Sequence, residues 1–309
     1  CKIWQKETNV PTTDVPSVAP QTVVYKNTPG CAIHLDVYRP DGSQRAPALL
    51  WIHGGALIMG SRQATAGRLH DVLLARGYGI VSIDYRLAPH TKLPEIIEDL
   101  QDAYWWMRGP GSEQFGIDAD RIAVAGASAG GYLTLMTGMG VEPRPRALVS
   151  YYGYGDIDGP WYAEPDAFYR QQPLVTKEEA WRAVGASVVA APPASSTRSL
   201  FYLYCRQNGI WPNEVAGHDP HTEPRWFDQY CPVRNVTSSY PPTLLIHGTA
   251  DTDVPYAESK AMAEQLAGAG GEHRLITLIG AGHGLEGAPL EERNQVADQA
   301  AEWVCSHTR

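Results

Sequence analysis

Three features of the sequence predict an α/β fold with an eight-stranded, mostly parallel sheet and one inserted cap. Eight short runs rich in β-branched or aromatic residues recur along the 309 residues, and from the third onward they alternate with helix-length segments. Such alternation is typical of parallel sheets with helices on both faces, which bind ligands at the carboxyl ends of the strands. The third feature is one long break in the alternation, which predicts an insertion over about 156–238.

The elements can be assigned in order along the chain. The first two predicted strands, 22–26 and 32–39, flank Pro29 and Gly30, so we expect them to form an antiparallel hairpin. The other six strands are expected at 48–53, 79–85, 121–127, 147–153, 243–248 and 273–279. Helices are expected at 62–76, 94–108, 129–140, 256–269 and 290–305.

Composition limits the class of protein. A hydrophobic content of 43% is enough for a buried core, and a net charge of −9 gives no indication of nucleic-acid binding. We find no sequence stretch that predicts a transmembrane segment. Residues 1–20 are polar and rich in Pro and Thr, and we expect them to form an extended arm ahead of one domain that spans 21–309.

Ser128 is the predicted nucleophile. It lies in a Gly-x-Ser-x-Gly frame between the apolar run 121–127 and a helical run rich in Ala and Leu. A sharp strand-to-helix turn holds such a serine in a strained conformation, and side chains at Gly126 or Gly130 would collide with the neighbouring elements. The frame alone often occurs by chance in a chain with 30 glycines, so its value depends on the other loops.

A glycine-rich loop follows the predicted strand 48–53. Amides of Gly54 and Gly55, with that of Ala129 next to the nucleophile, are candidate donors to an oxyanion. Each such donor is worth roughly 3 kcal/mol in acyl-transfer enzymes. Without the serine, the same glycines would predict only a tight turn.

An acid and a base follow in the order Ser, acid, His, which differs from the orders of chymotrypsin-like and subtilisin-like enzymes. Asp251 and His283 lie in loops after predicted strands, so His283 would exchange a proton with Ser128 while Asp251 orients the imidazole. Asp253 competes for the role of the acid. Its place before Pro255 favours a helix cap instead, so we expect its loss mainly to affect stability.

Five successive motifs carry a family resemblance: HGGALIMG (53–60), DYRLAP (84–89), GASAGG (126–131), HGTAD (247–251) and GAGHG (280–284). Together they resemble those of hormone-sensitive-lipase-like bacterial carboxylesterases and the related acetyl-xylan and feruloyl esterases. The resemblance implies an α/β-hydrolase sheet of eight strands, ester hydrolysis through an acyl-enzyme, and no metal or organic cofactor. Two positions depart from the family pattern, because Ala56 replaces the third glycine of the first motif and Ala127 replaces an acid.

The insertion is rich in aromatic residues and proline. We expect Trp161 and Trp211, together with Ala56, to line the substrate pocket, and more than half of the aromatic side chains to form the core of the cap. The aromatic residues concerned are Trp161, Tyr162, Phe168, Tyr169, Trp181, Phe201, Tyr202, Tyr204, Trp211 and Trp226.

The predicted function is that of a serine carboxylesterase acting on short-chain or small aryl and alkyl esters, with a small-molecule ester as its expected partner. Two alternatives remain open. One is a peptidase that resembles the catalytic domain of prolyl oligopeptidases, although the chain has no propeller-like repeats. The other is a non-catalytic binding module on the same fold, which would be expected to lose members of the triad.

A metal site is not predicted. His218, Asp219, His221 and Asp228 are of metal-ligating types, but Pro220 and the missing helical spacing argue against a shared ion.

The cysteines bear on location. Cys205 and Cys231 would suit an oxidising compartment if they were bridged, and buried reduced thiols are the equal alternative. Cys1 fits the lipid-bearing cysteine of a mature bacterial lipoprotein, and a truncated longer chain fits as well. We therefore favour an extracytoplasmic location over a cytoplasmic one, and the sequence does not indicate an oligomeric state.

Overall fold

The computed structural model describes residues 18–39 and 45–309. Eight strands form a single sheet: β1 Gln21–Thr28, β2 Cys31–Tyr38, β3 Ala46–Ile52, β4 Gly79–Ile83, β5 Ile117–Ala127, β6 Leu148–Tyr151, β7 Thr243–Gly248 and β8 His273–Leu278.

The strands lie in the order β1-β2-β4-β3-β5-β6-β7-β8. β2 runs antiparallel to both of its neighbours, β1 and β4, and every other pairing is parallel. The predicted hairpin and the predicted fold class are therefore confirmed. Because the parallel strands all point the same way, the loops after β3, β5, β7 and β8 meet along one edge of the sheet.

Eleven helices are described. They are α1 Arg68–Ala75, α2 Leu93–Arg108, α3 Pro110–Phe115, α4 Ala129–Gly140, α5 Pro160–Ala163, α6 Lys177–Val184, α7 Ser199–Asn208, α8 Trp211–Ala216, α9 Pro224–Phe227, α10 Tyr256–Gly268 and α11 Leu290–His307. Four of the five expected helices, α2, α4, α10 and α11, lie within two residues of their predicted bounds.

One predicted helix, 62–76, begins six residues late, at Arg68, and the prediction of its start was wrong. Arg62 is held away from helical geometry because its guanidinium pairs with Asp36 at 2.9 Å and with Asp84 at 2.5 Å. Gly67 then takes φ 52°, a left-handed conformation that a helix cannot include. Ion pairs between distant segments therefore overrule the local helical pattern.

The core lies on both faces of the sheet. Successive strand residues point to opposite faces, so Leu49 and Trp51 of β3 pack with α1 and α11, whereas Leu50 and Ile52 pack on the other side. That second side carries α2, α4, α10 and most of the insertion. The uninterrupted apolar runs of the central strands follow from this double burial.

The chain between β6 and β7 contains short helices and 3₁₀ turns but no strand. Its aromatic side chains pack largely on one another, as in the stacked pair Tyr162 and Trp211, whose ring centroids are 4.0 Å apart. Four rings surround the guanidinium of Arg206 at 4.6 to 5.7 Å from the ring centroids. The aromatic rings of the insertion therefore pack around a buried cation and belong to the same core cluster as that side of the sheet.

Cys205 and Cys231 are free buried thiols, so the pair does not form a bridge. Cys231 instead lies 3.4 Å from a carboxylate oxygen of Asp158. The pair therefore gives no support to an oxidising compartment.

The expected arm and Cys1 lie outside the described residues, except for 18–20, which have no helical or strand structure. Among the described helices, none is both long and apolar enough to cross a membrane.

Candidate active site

The three predicted triad residues meet at the carboxyl edge of the sheet. Ser128 follows β5, Asp251 follows β7 and His283 follows β8. His283 Nε2 lies 3.2 Å from Ser128 Oγ, and His283 Nδ1 lies 2.8 Å from Asp251 Oδ2. Because the carboxylate only accepts, Nδ1 carries the proton of a neutral ring and Nε2 faces the serine as an acceptor. This arrangement can remove the proton from a serine hydroxyl.

The backbone at Ser128 is strained in the way that the sequence predicts. Ser128 has φ 56° and ψ −119°, and it stands between β5 and α4. A Cβ at Gly126 would lie 2.3 Å from the carbonyl oxygen of Gly130, and one at Gly130 would lie 2.0 Å from that of Ile52. Both flanking positions therefore require glycine, and the turn holds the hydroxyl above the strand end.

The loop after β3 runs beside the serine. A Cβ at Gly54 would lie 3.2 Å from the Cβ of Ser128, so no side chain separates the two backbones. The next residues have unusual conformations, with φ 114° at Gly55, 54° at Ala56 and 60° at Leu57. Positive φ at two non-glycine residues is a sign of strain that the surroundings must sustain.

Hydrogen bonds from outside the loop sustain it by binding its carbonyl oxygens. The donors are Tyr85 to His53, Trp211 to Ala56, the Ala88 amide to Leu57, and the Arg198 guanidinium to Ile58. Burial lowers the pKa of His53 to about 4, so its ring is neutral and Nδ1 donates to the Gly54 carbonyl at 2.7 Å. With the carbonyls bound in this way, the loop is held rigidly next to the serine, which is what pre-aimed oxyanion donors need.

The acid has more partners than the sequence indicated. Asp251 Oδ1 accepts the main-chain N–H groups of Asp253 and Val254 at 2.8 and 2.9 Å. Its Oδ2 faces His283 and also His247, whose Nε2 is 3.3 Å away. Burial opposes ionisation, but the hydrogen bonds from His247 and His283 hold the pKa of Asp251 well below its usual range. Asp251 is therefore an anion throughout the neutral pH range.

Asp253 is not a helix cap, so that prediction was wrong. The N-cap of α10 is Pro255, and no side chain caps the helix. The Asp253 carboxylate turns away from the helix because Arg206 Nη1 and the hydroxyl of Tyr169 both donate to Oδ1 at 2.8 Å. The hydroxyl of Tyr202 also donates to Oδ1. No pattern in the sequence indicated Arg206, whose carboxylate partners Asp253 and Asp166 lie in two separate segments.

The other oxygen of Asp253 faces the imidazole. Asp253 Oδ2 lies 3.5 Å from His283 Nε2, on the side of the ring that also faces Ser128. Burial lowers the pKa of His283, but the carboxylates of Asp253 and Asp251 outweigh it and raise that pKa above its usual value. The two acids therefore both favour the imidazolium that forms when the serine loses its proton.

The three residues expected to line the pocket are placed differently from one another. Trp211 is fully buried, and its indole N–H donates to the Ala56 carbonyl at 3.0 Å, so it supports the loop rather than facing a ligand. Ala56 is itself 5% exposed. Trp161 is partly exposed and stacks on Tyr162 at 3.7 Å between centroids.

One group of potential metal ligands occurs in the described part of the chain, and it is not the set of residues that the sequence analysis weighed and rejected. Asp156, Asp158 and Cys231 offer ligand atoms within 4.8 Å of one another. Arg234 binds the same carboxylates, with Nη2 2.6 Å from Asp158 and 3.8 Å from Asp156. A guanidinium already supplies the positive charge there. His218 instead pairs with a glutamate, Glu223, at 3.1 Å.

Comparison with known proteins identifies the fold. Residues 35–151 match the family model BD-FAE, and residues 186–309 match that of the prolyl oligopeptidase family. A carboxylesterase from a metagenomic library, EstE1, superposes with a TM-score of 0.70 at 23% identity, covering 96% of this chain and 92% of that one. This chain has the α/β-hydrolase fold.

The chain spans only part of the length of the curated relatives that it matches. The esterase LipC of Mycobacterium tuberculosis is 30% identical over 85% of this chain and 59% of its own length. A non-reducing polyketide synthase of Preussia isomera, Preu6, is 29% identical over 85% of this chain but only 13% of its own length. The chain therefore matches only part of each of these two relatives.

Proposed function

We propose that this α/β-hydrolase is a serine carboxylesterase that cleaves short-chain or small aryl and alkyl esters through an acyl-enzyme. The observation that supports the proposal most is the hydrogen-bonded series Ser128, His283 and Asp251, with spacings of 3.2 and 2.8 Å. The esterases among the relatives support the same class of reaction.

The proposed reaction has two halves. Ser128 Oγ attacks the ester carbonyl carbon while its proton passes to His283 Nε2, and the negative charge that forms on the carbonyl oxygen is bound by the amides of Gly54, Gly55 and Ala129. The bond to the alcohol oxygen then breaks as His283 returns the proton to it. Water repeats the sequence on the acyl-enzyme, which releases the carboxylic acid and restores Ser128.

The direct test is Ser128→Ala. We expect hydrolysis of p-nitrophenyl acetate to fall by at least about 10³-fold with an unchanged melting temperature, because no other group can form the acyl-enzyme. In the wild-type protein, a fluorophosphonate should form one covalent adduct per chain, on Ser128. Residual turnover within about tenfold of wild type would contradict the assignment of the nucleophile.

Substrate size follows from how the site is enclosed. Ser128 is only 5% exposed, and Trp211, Arg198 and Arg206 of the insertion bind the loops after β3 and β7. Ordering each methylene of a long acyl chain costs entropy that a short pocket does not offset. We expect kcat/KM for p-nitrophenyl esters to peak at about two to four acyl carbons and to fall beyond about eight. A maximum at long chains, or activation at an oil–water interface, would indicate a lipase with a mobile cap.

A peptidase is the second candidate, because residues 186–309 match the prolyl oligopeptidase family. The two functions can be distinguished with an ester and an anilide that carry the same acyl group. We expect kcat/KM to be at least about 100-fold higher for a p-nitrophenyl ester than for a peptidyl-prolyl p-nitroanilide, relative to their uncatalysed rates. A preference for the anilide would favour the peptidase.

A further inference from the structure

Asp253 is a buried carboxylate beside the reacting groups that the triad does not use. Its two oxygens are in different situations. Oδ1 is bound by Arg206, Tyr169 and Tyr202, whereas Oδ2 lies 3.5 Å from His283 Nε2. Three donors fix the orientation of the carboxylate, so Oδ2 is held towards the imidazole.

Oδ2 of Asp253 and Nε2 of His283 are both acceptors in the resting state. His283 Nδ1 holds its proton against Asp251 at 2.8 Å, which leaves Nε2 with a lone pair. Two acceptors 3.5 Å apart can be bridged by one oxygen that carries two O–H groups, at ordinary hydrogen-bond distances from each. Once Ser128 is acylated it has no proton to donate, and Nε2 then needs a donor from the next reactant.

We propose that Asp253 Oδ2 and His283 Nε2 together position the water that hydrolyses the acyl-enzyme. The proposal rests on the esterase function proposed above. One O–H of the water points to Nε2 and gives up its proton there as the water oxygen attacks the acyl carbon. The other O–H donates to Asp253 Oδ2, keeps its proton and leaves as part of the carboxylic acid, while His283 returns its proton to Ser128 Oγ.

Asp253 is a positioning residue in this scheme, because it neither gains nor loses a proton. An alcohol has only one O–H group, which Nε2 requires, so the contact to Asp253 favours water over an alcohol as the second substrate. The ratio of hydrolysis to alcoholysis measures this preference. Water and alcohol compete for the same acyl-enzyme, so their product ratio does not depend on the folded fraction or on the rate of acylation. A change in the basicity of His283 affects both reactions and also leaves the ratio unchanged.

The experiment uses the full chain with p-nitrophenyl acetate and added methanol, and measures acetate and methyl acetate by NMR. In Asp253→Asn the three donors at Oδ1 keep the amide oxygen in place, so the NH₂ group faces the water and cannot accept from it. We expect the ratio of acetate to methyl acetate to fall by about tenfold, the value of one hydrogen bond to a charged group.

Asp166→Asn is the matched control. Asp166 Oδ2 binds the same guanidinium, 2.7 Å from Arg206 Nη2, but Asp166 belongs to the insertion and not to the loop of Asp251 and Asp253. We expect this variant to keep the wild-type product ratio. A product ratio in Asp253→Asn within about twofold of wild type, or an equal fall in Asp166→Asn, would overturn the proposal.

A second measurement needs no variant to fold or to retain activity. Ethylene glycol carries a second hydroxyl that can reach Asp253 as water does, whereas 2-methoxyethanol carries a methyl ether at the same place. We expect wild-type protein to transfer acetyl to glycol about fivefold faster per hydroxyl than to 2-methoxyethanol. Equal rates would overturn the proposal. Failure to release p-nitrophenol at all would instead reject the esterase function.

Discussion

Two aspartates on one loop, two residues apart, face opposite nitrogens of the same imidazole. Asp251 is bound by main-chain amides of its own loop and faces His283 Nδ1. Asp253 is bound by Arg206, from the insertion, and faces His283 Nε2. The first carboxylate is therefore held by the end of the sheet and the second by the insertion. The position of each aspartate along the chain does not reveal its role. The role is set by the hydrogen-bond partners of each carboxylate oxygen.

The largest effect that tests this comparison is the loss of each acid in turn. Asp251→Asn removes the acceptor that keeps the proton on Nδ1 of His283, and we expect kcat on p-nitrophenyl acetate to fall by about 10⁴-fold. Asp253→Asn leaves the tautomer intact, so we expect a loss of about 10- to 100-fold. Steady-state kinetics on both variants checks this ranking. Equal losses would mean that the two acids act as one unit.

The next largest effect is on the free energy of unfolding, and it tests how far the insertion depends on the buried ion pairs of Arg206. Arg206 is 1% exposed and joins Asp253 to Asp166 at 2.8 and 2.7 Å. Removing one partner of a buried ion pair leaves a buried charge, so we expect Arg206→Met to lower the free energy of unfolding by about 3 kcal/mol.

Arg68→Met is the control for that measurement. Arg68 pairs with Asp298 at 2.8 Å, but both side chains are more than a third exposed. Solvent screens such a pair, and we expect a change of less than about 1 kcal/mol in urea unfolding. A change in Arg206→Met as small as that in the control would show that the insertion does not depend on this ion pair.

The smallest expected effect is on pH dependence. His283 must be neutral to accept the proton of Ser128, so kcat/KM falls as the pH drops through the pKa of His283. Burial lowers that pKa, and Asp253, followed by Asp251, raises it above the usual histidine value. In Asp253→Asn the charge of Arg206 remains, and this charge lowers the pKa of His283. We therefore expect the acid limb of the profile to move to lower pH in Asp253→Asn, measured between about pH 5 and 9. A limb that stays in place would show that Asp253 is electrostatically screened from the ring.

Much of the fold and the geometry of the candidate triad could be predicted because each depends on a local pattern. The eight strands follow apolar runs, and the position of Ser128 follows from Gly126 and Gly130, whose missing side chains leave room for the turn. The prediction of Asp251 and His283 needed only their order and their place after strands. These features depend on neighbours within a few residues, so they can be read from the sequence.

The roles of Asp253, Arg206, Arg198 and Trp211 could not be predicted, because their partners lie far away along the chain. Arg206 is 47 residues from Asp253, and Trp211 is 155 residues from Ala56, whose carbonyl it binds. No local period or motif encodes such pairs. The sequence by itself determined the sheet and the order of the triad residues. Only the tertiary structure decided which buried charge meets which, because burial makes an unpaired charge costly and the fold alone brings its partner within reach.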